Sequence, residues 1–119
     1  MRVSAGERSL TVTVSVPVPL PPLPAAVEVA AYRIAVEAVT NAARHADAAN
    51  CGVEFRHGDG ELRVTVTDDG TGIGPGVRPG VGLTAMAERA SELGGTLTID
   101  AVPPGGTALV TRLPLAGPS

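Results

Sequence analysis

Lysine is absent: all nine basic residues of the chain are Arg. That excludes a P-loop, whose Lys reaches the terminal phosphates of a nucleotide, and it equally excludes Schiff-base chemistry and the strand lysine of eukaryote-type protein kinases. Tryptophan is absent as well, and Tyr32 and Phe55 are the only aromatics, too few for a stacking platform that would bind single-stranded nucleic acid. Cys51 stands alone, so neither an internal disulfide nor a multi-cysteine zinc site can form, and the residue reads as a buried structural thiol. There is no Gly-x-Ser-x-Gly elbow, and His45 and His57 lack metal-ligand spacing. Positive charge is in short supply: nine basic against twelve acidic residues leave a net charge of −3, the wrong sign for direct nucleic-acid binding.

What is present suits one domain. The 119 residues are 44% hydrophobic, with Val, Leu, Ile and Ala available to fill a single core. The longest apolar stretch, Val14 to Val27, carries Pro17, Pro19, Pro21, Pro22 and Pro24 and reads as an extended connector, not a membrane span. Glu7 and Arg8 interrupt the N-terminal segment too early for a signal peptide.

Leu10 to Val16 alternates strictly, LTVTVSV, and predicts a half-buried strand. From Ala25 to about Ala48, Val27, Ala31, Ile34, Ala35, Ala38 and Ala42 recur at helical spacing behind Pro24. Cys51 to His57 and Glu61 to Asp68 predict two antiparallel strands around a Gly58-Asp59-Gly60 turn. Asp69 to Gly82 is a glycine-rich loop, followed by a helix from Leu83 to Leu93 that Gly94-Gly95 terminates. The strands TLTID and TALVTRL close the chain on either side of Pro103-Pro104-Gly105-Gly106. The expected fold is α+β: a two-layer sandwich with a mainly antiparallel, mixed sheet and helices on one face.

Three features could carry chemistry. Arg33, Glu37, Thr40, Asn41 and Arg44 share one side of the long helix, opposite its apolar stripe. The plain reading is a solvated face with an Arg33–Glu37 ion pair. Against it, Asn is a poor helix former, and Glu37 and Asn41 set a carboxylate beside an amide oxygen, ligands that a hydrated Mg²⁺ accepts. Next, Val64 to Gly74 runs an acidic pair out of a strand into alternating glycines. A turn would explain it, but a strand-end carboxylate can also accept a hydrogen bond from an exocyclic amine such as that of adenine, while glycine lets a flat ligand approach. Third, Gly80-Val81-Gly82-Leu83 opens a helix whose free N–H groups favour an anion. The same residues match a dinucleotide fingerprint with Asp100 downstream, but Gly74 to Pro79 cannot be the strand that fingerprint needs.

In order, EAVTNAARHA, VTDDGTGIG, GVGLTAMAERASELGG and PGGTALVTRLPL resemble the ATP-binding catalytic domain of bacterial sensor histidine kinases, in the superfamily that includes gyrase and MutL ATPases. The resemblance spans about Leu23 to Leu115 and is closest to the branch whose partner regulators carry helix-turn-helix domains; LPAAVEVAAYRIAVEAVTN matches that branch's preceding signature. It implies a histidine kinase-like ATPase fold, with residues 1–22 as first strand and connector and 23–115 as the motif-bearing core. It implies ATP and Mg²⁺ as ligands. Asn41 would hold the metal, Glu37 would polarise or orient groups beside it, and Arg44 and His45 would lie near the phosphates. Asp68 would take the adenine amino group, Gly70 and Gly72 would clear space for the base, and Thr107 would support the adenine end. Gly80 and Gly82 would hinge a short lid over a fairly open site and offer N–H groups to the phosphates, and Ile73 and Leu83 belong to the same nucleotide-binding set. The implied partners are a histidine-bearing dimerisation domain and a response regulator with helix-turn-helix output, with no membrane contact by this domain. The implied location is cytoplasmic, whether or not the parent kinase is membrane-anchored. Since neither His45 nor His57 sits in a phosphoacceptor context and little precedes Leu10, the expectation is a domain that binds Mg·ATP without phosphorylating itself. The competing expectations are an anti-sigma-type serine kinase and a nucleotide-gated binding module.

Overall fold

The computed structural model describes residues 2–5, 8–45, 49–70, 81–101 and 106–115, with side chains described for 10–43, 49–70, 84–101 and 106–115. Its elements are β1 (Arg2–Ala5), β2 (Arg8–Ser15), α1 (Ala25–His45), β3 (Asn50–Gly58), β4 (Glu61–Asp68), α2 (Val81–Glu92), β5 (Thr96–Ala101) and β6 (Thr107–Pro114). The strands form one mixed sheet in the order β1-β2-β3-β4-β6-β5. Among the described residues only β2 and β3 pair in parallel, and the chain makes that crossover through the proline connector and α1. Strand β1 was not foreseen: RVSA alternates, but over only four residues, and it is cut from β2 by Gly6-Glu7.

The turn after β3 has the expected chemistry. Asp59 (φ 53°) and Gly60 (φ 77°) both sit in the left-handed region, the two-residue turn whose twist matches an antiparallel pair. Period-2 alternation then sends Leu62, Val64 and Val66 of β4 to one face and Arg63, Thr65 and Thr67 to the other. Leu109 and Leu113 of β6, Cys51 and Val53 of β3 and Leu10 and Val12 of β2 complete the apolar face. Every position read as the stripe of α1 is buried there, Ile34 completely, and Met86 and Ala90 of α2 join them. Cys51 is the free, buried thiol that was expected.

Glycine decides how α2 docks. Gly94 (φ 77°) follows the last turn, its N–H bonds Ser91 O at 2.9 Å and the N–H of Gly95 bonds Ala90 O at 2.8 Å, which together make a Schellman cap. A Cβ on Gly95 would run into the carbonyl oxygen of Arg112, so β6 approaches the helix end only because that atom is missing.

Thr111, on the apolar face of β6 opposite Val64 and Leu97, is fully buried, and its hydroxyl has no partner among the described residues. An unmade hydrogen bond inside a core costs free energy that an isosteric methyl does not. Thr111→Val is therefore expected to raise unfolding free energy by about 1 kcal/mol in urea melts; a loss of stability would show that the hydroxyl is bonded.

Candidate nucleotide site

The alternation that builds the core also delivers the first functional side chain. Asp68 is next in the series Leu62, Val64, Val66, so its carboxylate emerges on the helix-covered face at the end of β4. Pairing register sets Cys51 on one side of it and Thr107 on the other. The two residues assigned to the adenine end, Asp68 and Thr107, are thus direct cross-strand neighbours on one face, both half-buried. The Gly70 N–H donates to Asp68 Oδ1 at 2.9 Å, which fixes the carboxylate's orientation and leaves its second oxygen free among the described residues.

Backbone packs tightly against this carboxylate. Gly106 has φ 121°, and a Cβ there would collide with the Asp68 carbonyl oxygen, so the chain can pass over the strand end into Thr107 only as glycine. In the sequence Gly106 read as one more loop breaker, and its role shows only through this long-range approach.

The two adjacent carboxyls differ in character. Burial raises the pKa of Asp68 against the lowering influence of the Gly70 N–H, and the neighbouring Asp69 charge raises it further. Asp69 is lowered, because the backbone and side chain of Asn50 and the N–H of Ala49 all donate to it. Beneath them, burial first and the two aspartates second push the Cys51 thiol up to about 11, which keeps it protonated and poorly reactive at neutral pH.

On α1, Glu37 and Asn41 lie one turn apart and half-buried, with no hydrogen-bond or ionic partner among the described residues. The alternative ion pair with Arg33 does not form; the described ion pairs are Arg56–Glu54 and Arg112–Glu61. Two uncommitted hard oxygen donors on one helix face fit a Mg²⁺ that keeps several waters. Among the described residues no cluster of three or more His, Cys, Asp or Glu offers a fuller ligand cage. The topology brings both groups to one end: α1 runs through Asn41 toward residues 49–50, where β3 begins beside the end of β4. Arg44 and His45 are in the last turn of α1, and Gly82 and Leu83 in the first turn of α2, with side chains outside the described set. Gly72, Ile73, Gly80 and the Gly74–Gly80 lid lie outside the described residues. No helix among the described residues is long and apolar enough to cross a membrane.

Ionised Asp68 works against folding, since its folded pKa lies above the ordinary carboxyl value; the penalty is full above the folded pKa and fades as pH falls toward 3.8. Asp68→Asn, which keeps an acceptor for the Gly70 N–H, is expected to match or exceed the wild-type Tm at pH 7. Its advantage should shrink as pH falls toward 4, and a Tm well below wild type at pH 7 would contradict the assignment.

Known proteins share this fold. Residues 26–117 match the family model described as histidine kinase-, DNA gyrase B-, and HSP90-like ATPase. The chain is 45% identical over 92 residues to the sensor histidine kinase YxjM of Bacillus subtilis strain 168, covering 77% of this chain and 22% of that protein. It is 33% identical over 95 residues to the sensor protein VraS of Staphylococcus aureus, covering 78% of this chain and 27% of the relative. It therefore spans only 22% and 27% of the length of these two curated relatives. Of solved structures, the ATP-binding domain of PrrB from Mycobacterium tuberculosis superposes with a TM-score of 0.66 at 30% identity, covering 92% of this chain and 82% of that one. The Erythrobacter litoralis blue-light activated histidine kinase EL346 shares the fold, with a TM-score of 0.77 at 24% identity over 89% of this chain and 35% of that one. With the strand-end carboxylate, its threonine neighbour and the helix-borne donors falling within the matched span, the chain belongs to the histidine kinase-, DNA gyrase B- and HSP90-like ATPases.

Proposed function

We propose that this chain is the Mg·ATP-binding catalytic domain of a sensor histidine kinase, of the branch whose response regulators carry helix-turn-helix output domains, and that it acts in the cytoplasm. The observation that carries the reading is the register that makes Asp68 and Thr107 neighbours on the apolar face, under a backbone held close by Gly106. Asp68, ionised and oriented by the Gly70 N–H, accepts the adenine 6-amino group through its free oxygen, and Thr107 supports the same edge of the base. Glu37 and Asn41 face the triphosphate end, Asn41 offering its amide oxygen to the metal and Glu37 orienting what lies beside it. When bound, Mg²⁺ supplies charge neutralisation across the phosphates, the main electrostatic need of phosphoryl transfer. Arg44 and His45 continue that end of the site, as do the N–H groups at the start of α2, with Gly80 and Gly82 as lid hinges, Gly72 and Ile73 beside the base, and Leu83 in the first helical turn.

The acceptor is a histidine imidazole on a dimerisation domain outside this chain, and the phosphoryl group passes from there to the regulator. His57 does not serve. It lies at the turn end of β3, opposite the end that carries Asp68, and its Nε2 is 3.1 Å from the carbonyl oxygen of Pro19. His45 belongs to the helix motif of the site itself.

Calorimetric titration of the chain with Mg·ATP and Mg·ADP tests the reading. Binding of both nucleotides should weaken in Asp68→Asn by at least about tenfold, the order expected when a buried acceptor becomes a donor. Asn41→Ala should weaken binding chiefly when Mg²⁺ is present. Affinity should also fall as pH is lowered through the raised pKa of Asp68, because the protonated carboxyl loses acceptor capacity. A folded wild type that binds neither nucleotide would refute the assignment, and acid-labile, base-stable phosphate on the isolated chain would refute the external acceptor.

A further inference from the structure

The acidic pair that ends β4 contains one carboxylate whose two oxygens are both engaged by the protein itself. Asp69 Oδ1 accepts the N–H groups of Ala49 and Asn50, each at 2.9 Å, and Oδ2 accepts the Asn50 side-chain amide at 2.9 Å. The Asp69 N–H donates in return to Asn50 O at 3.2 Å, and Ala49 O accepts from the Thr11 N–H of β2 at 3.0 Å. One side chain thus joins the end of β4 to the start of β3 and, through Ala49, to β2. Residues 49 and 50 are also where β3 begins, four and five positions after the end of α1, so the clasp lies at the sheet end of the connection from the helix bearing Glu37 and Asn41, beside the strand end bearing Asp68.

We infer that Asp69 is a positioning residue, whose clasp on Ala49 and Asn50 sets the spacing between the metal-side donors of α1 and the base-side carboxylate Asp68. The inference rests on the reading of the site as one for Mg·ATP. It follows from occupancy: both oxygens already accept hydrogen bonds from the protein, whereas Asp68 keeps one free. It follows also from the ligand's shape. ATP spans both halves of the site and needs them correctly spaced, whereas adenosine occupies the base half alone.

The test compares ATP in the presence of Mg²⁺ with adenosine, by calorimetry and by NMR shift titration, on the full chain. Asp69→Ala should weaken Mg·ATP by about tenfold and adenosine by less than about threefold. Asp69→Asn should recover most of the loss, since its carbonyl can still accept both backbone N–H groups and the Asn50 amide can turn to accept from the new one. A residue that bound metal or base by its charge would fare as badly with Asn as with Ala, and that outcome overturns the positioning role. Equal losses for ATP and adenosine overturn it too, as does Mg·ATP binding by Asp69→Ala equal to wild type. Asn50→Ala, which removes only the Oδ2 bond, gives the same comparison if Asp69→Ala does not fold; a selective but smaller loss for Mg·ATP is expected, and no selective loss counts against the clasp. Failure of the wild type to bind Mg·ATP would instead bring down the site reading, and this inference with it. Hydrogen exchange at the Ala49 and Asn50 amides should be fast in Asp69→Ala and slow in wild type and Asp69→Asn.

Discussion

A β-strand sends alternate side chains to opposite faces, and in β4 that rule places a carboxylate at the end of an apolar row. Asp68 follows Leu62, Val64 and Val66 onto the face that α1 and α2 cover, where it is half-buried. Everything else in the site adapts to that placement. The Gly70 N–H turns back to hold one oxygen, Gly106 gives up a side chain so that the chain can cross the strand end, and register brings Thr107 alongside. Burial makes the ionised carboxylate costly, and only the Gly70 N–H offsets part of that cost among the described residues, so Asp68 is held at the strand end against its own desolvation.

Much of this was legible in the sequence, because its causes are local. Alternation exposed β2, β4 and β6, the Asp59-Gly60 turn fixed the β3–β4 hairpin, and the stripe from Val27 to Ala42 exposed α1. Asp68 was legible for the same reason, as a carboxylate where a strand meets glycines. What escaped notice depends on contacts between distant segments. The clasp of Asp69 joins residues 19 and 20 positions apart and looks, in sequence, like half of an ordinary turn. Gly106 reads as loop until the Asp68 carbonyl is seen beside it. Val14 follows the buried alternation of Leu10 and Val12 yet is 58% exposed, because burial depends on whether a helix reaches that far along the sheet.

The open face of the sheet is built differently. Arg56, Arg63 and Arg112 occupy one rung across β3, β4 and β6, all exposed, with like charges directly opposite one another. Glu54 bonds Arg56 at 2.6 Å and Glu61 lies 3.9 Å from Arg112, leaving the central Arg63 without a carboxylate among the described residues. Charge on this face stays solvated, while the two aspartates at the strand end lie against backbone N–H groups and a buried thiol.

The parallel contact between β2 and β3 imposes an order of assembly. Thr11 meets Asn50 only after a loop of about 40 residues has closed, which costs more chain entropy than the two-residue turn joining β3 to β4. The β1–β2 and β3–β4 hairpins and α1 can form from local contacts alone, whereas the parallel β2–β3 pairing must wait for the chain between them. Since β2 also holds Ala49, and Ala49 holds Asp69, the Asp68–Asp69 end of the sheet is completed only when β2 docks on β3. Translation therefore supplies β2, with its local partner β1, before the hairpin whose β3 strand receives it.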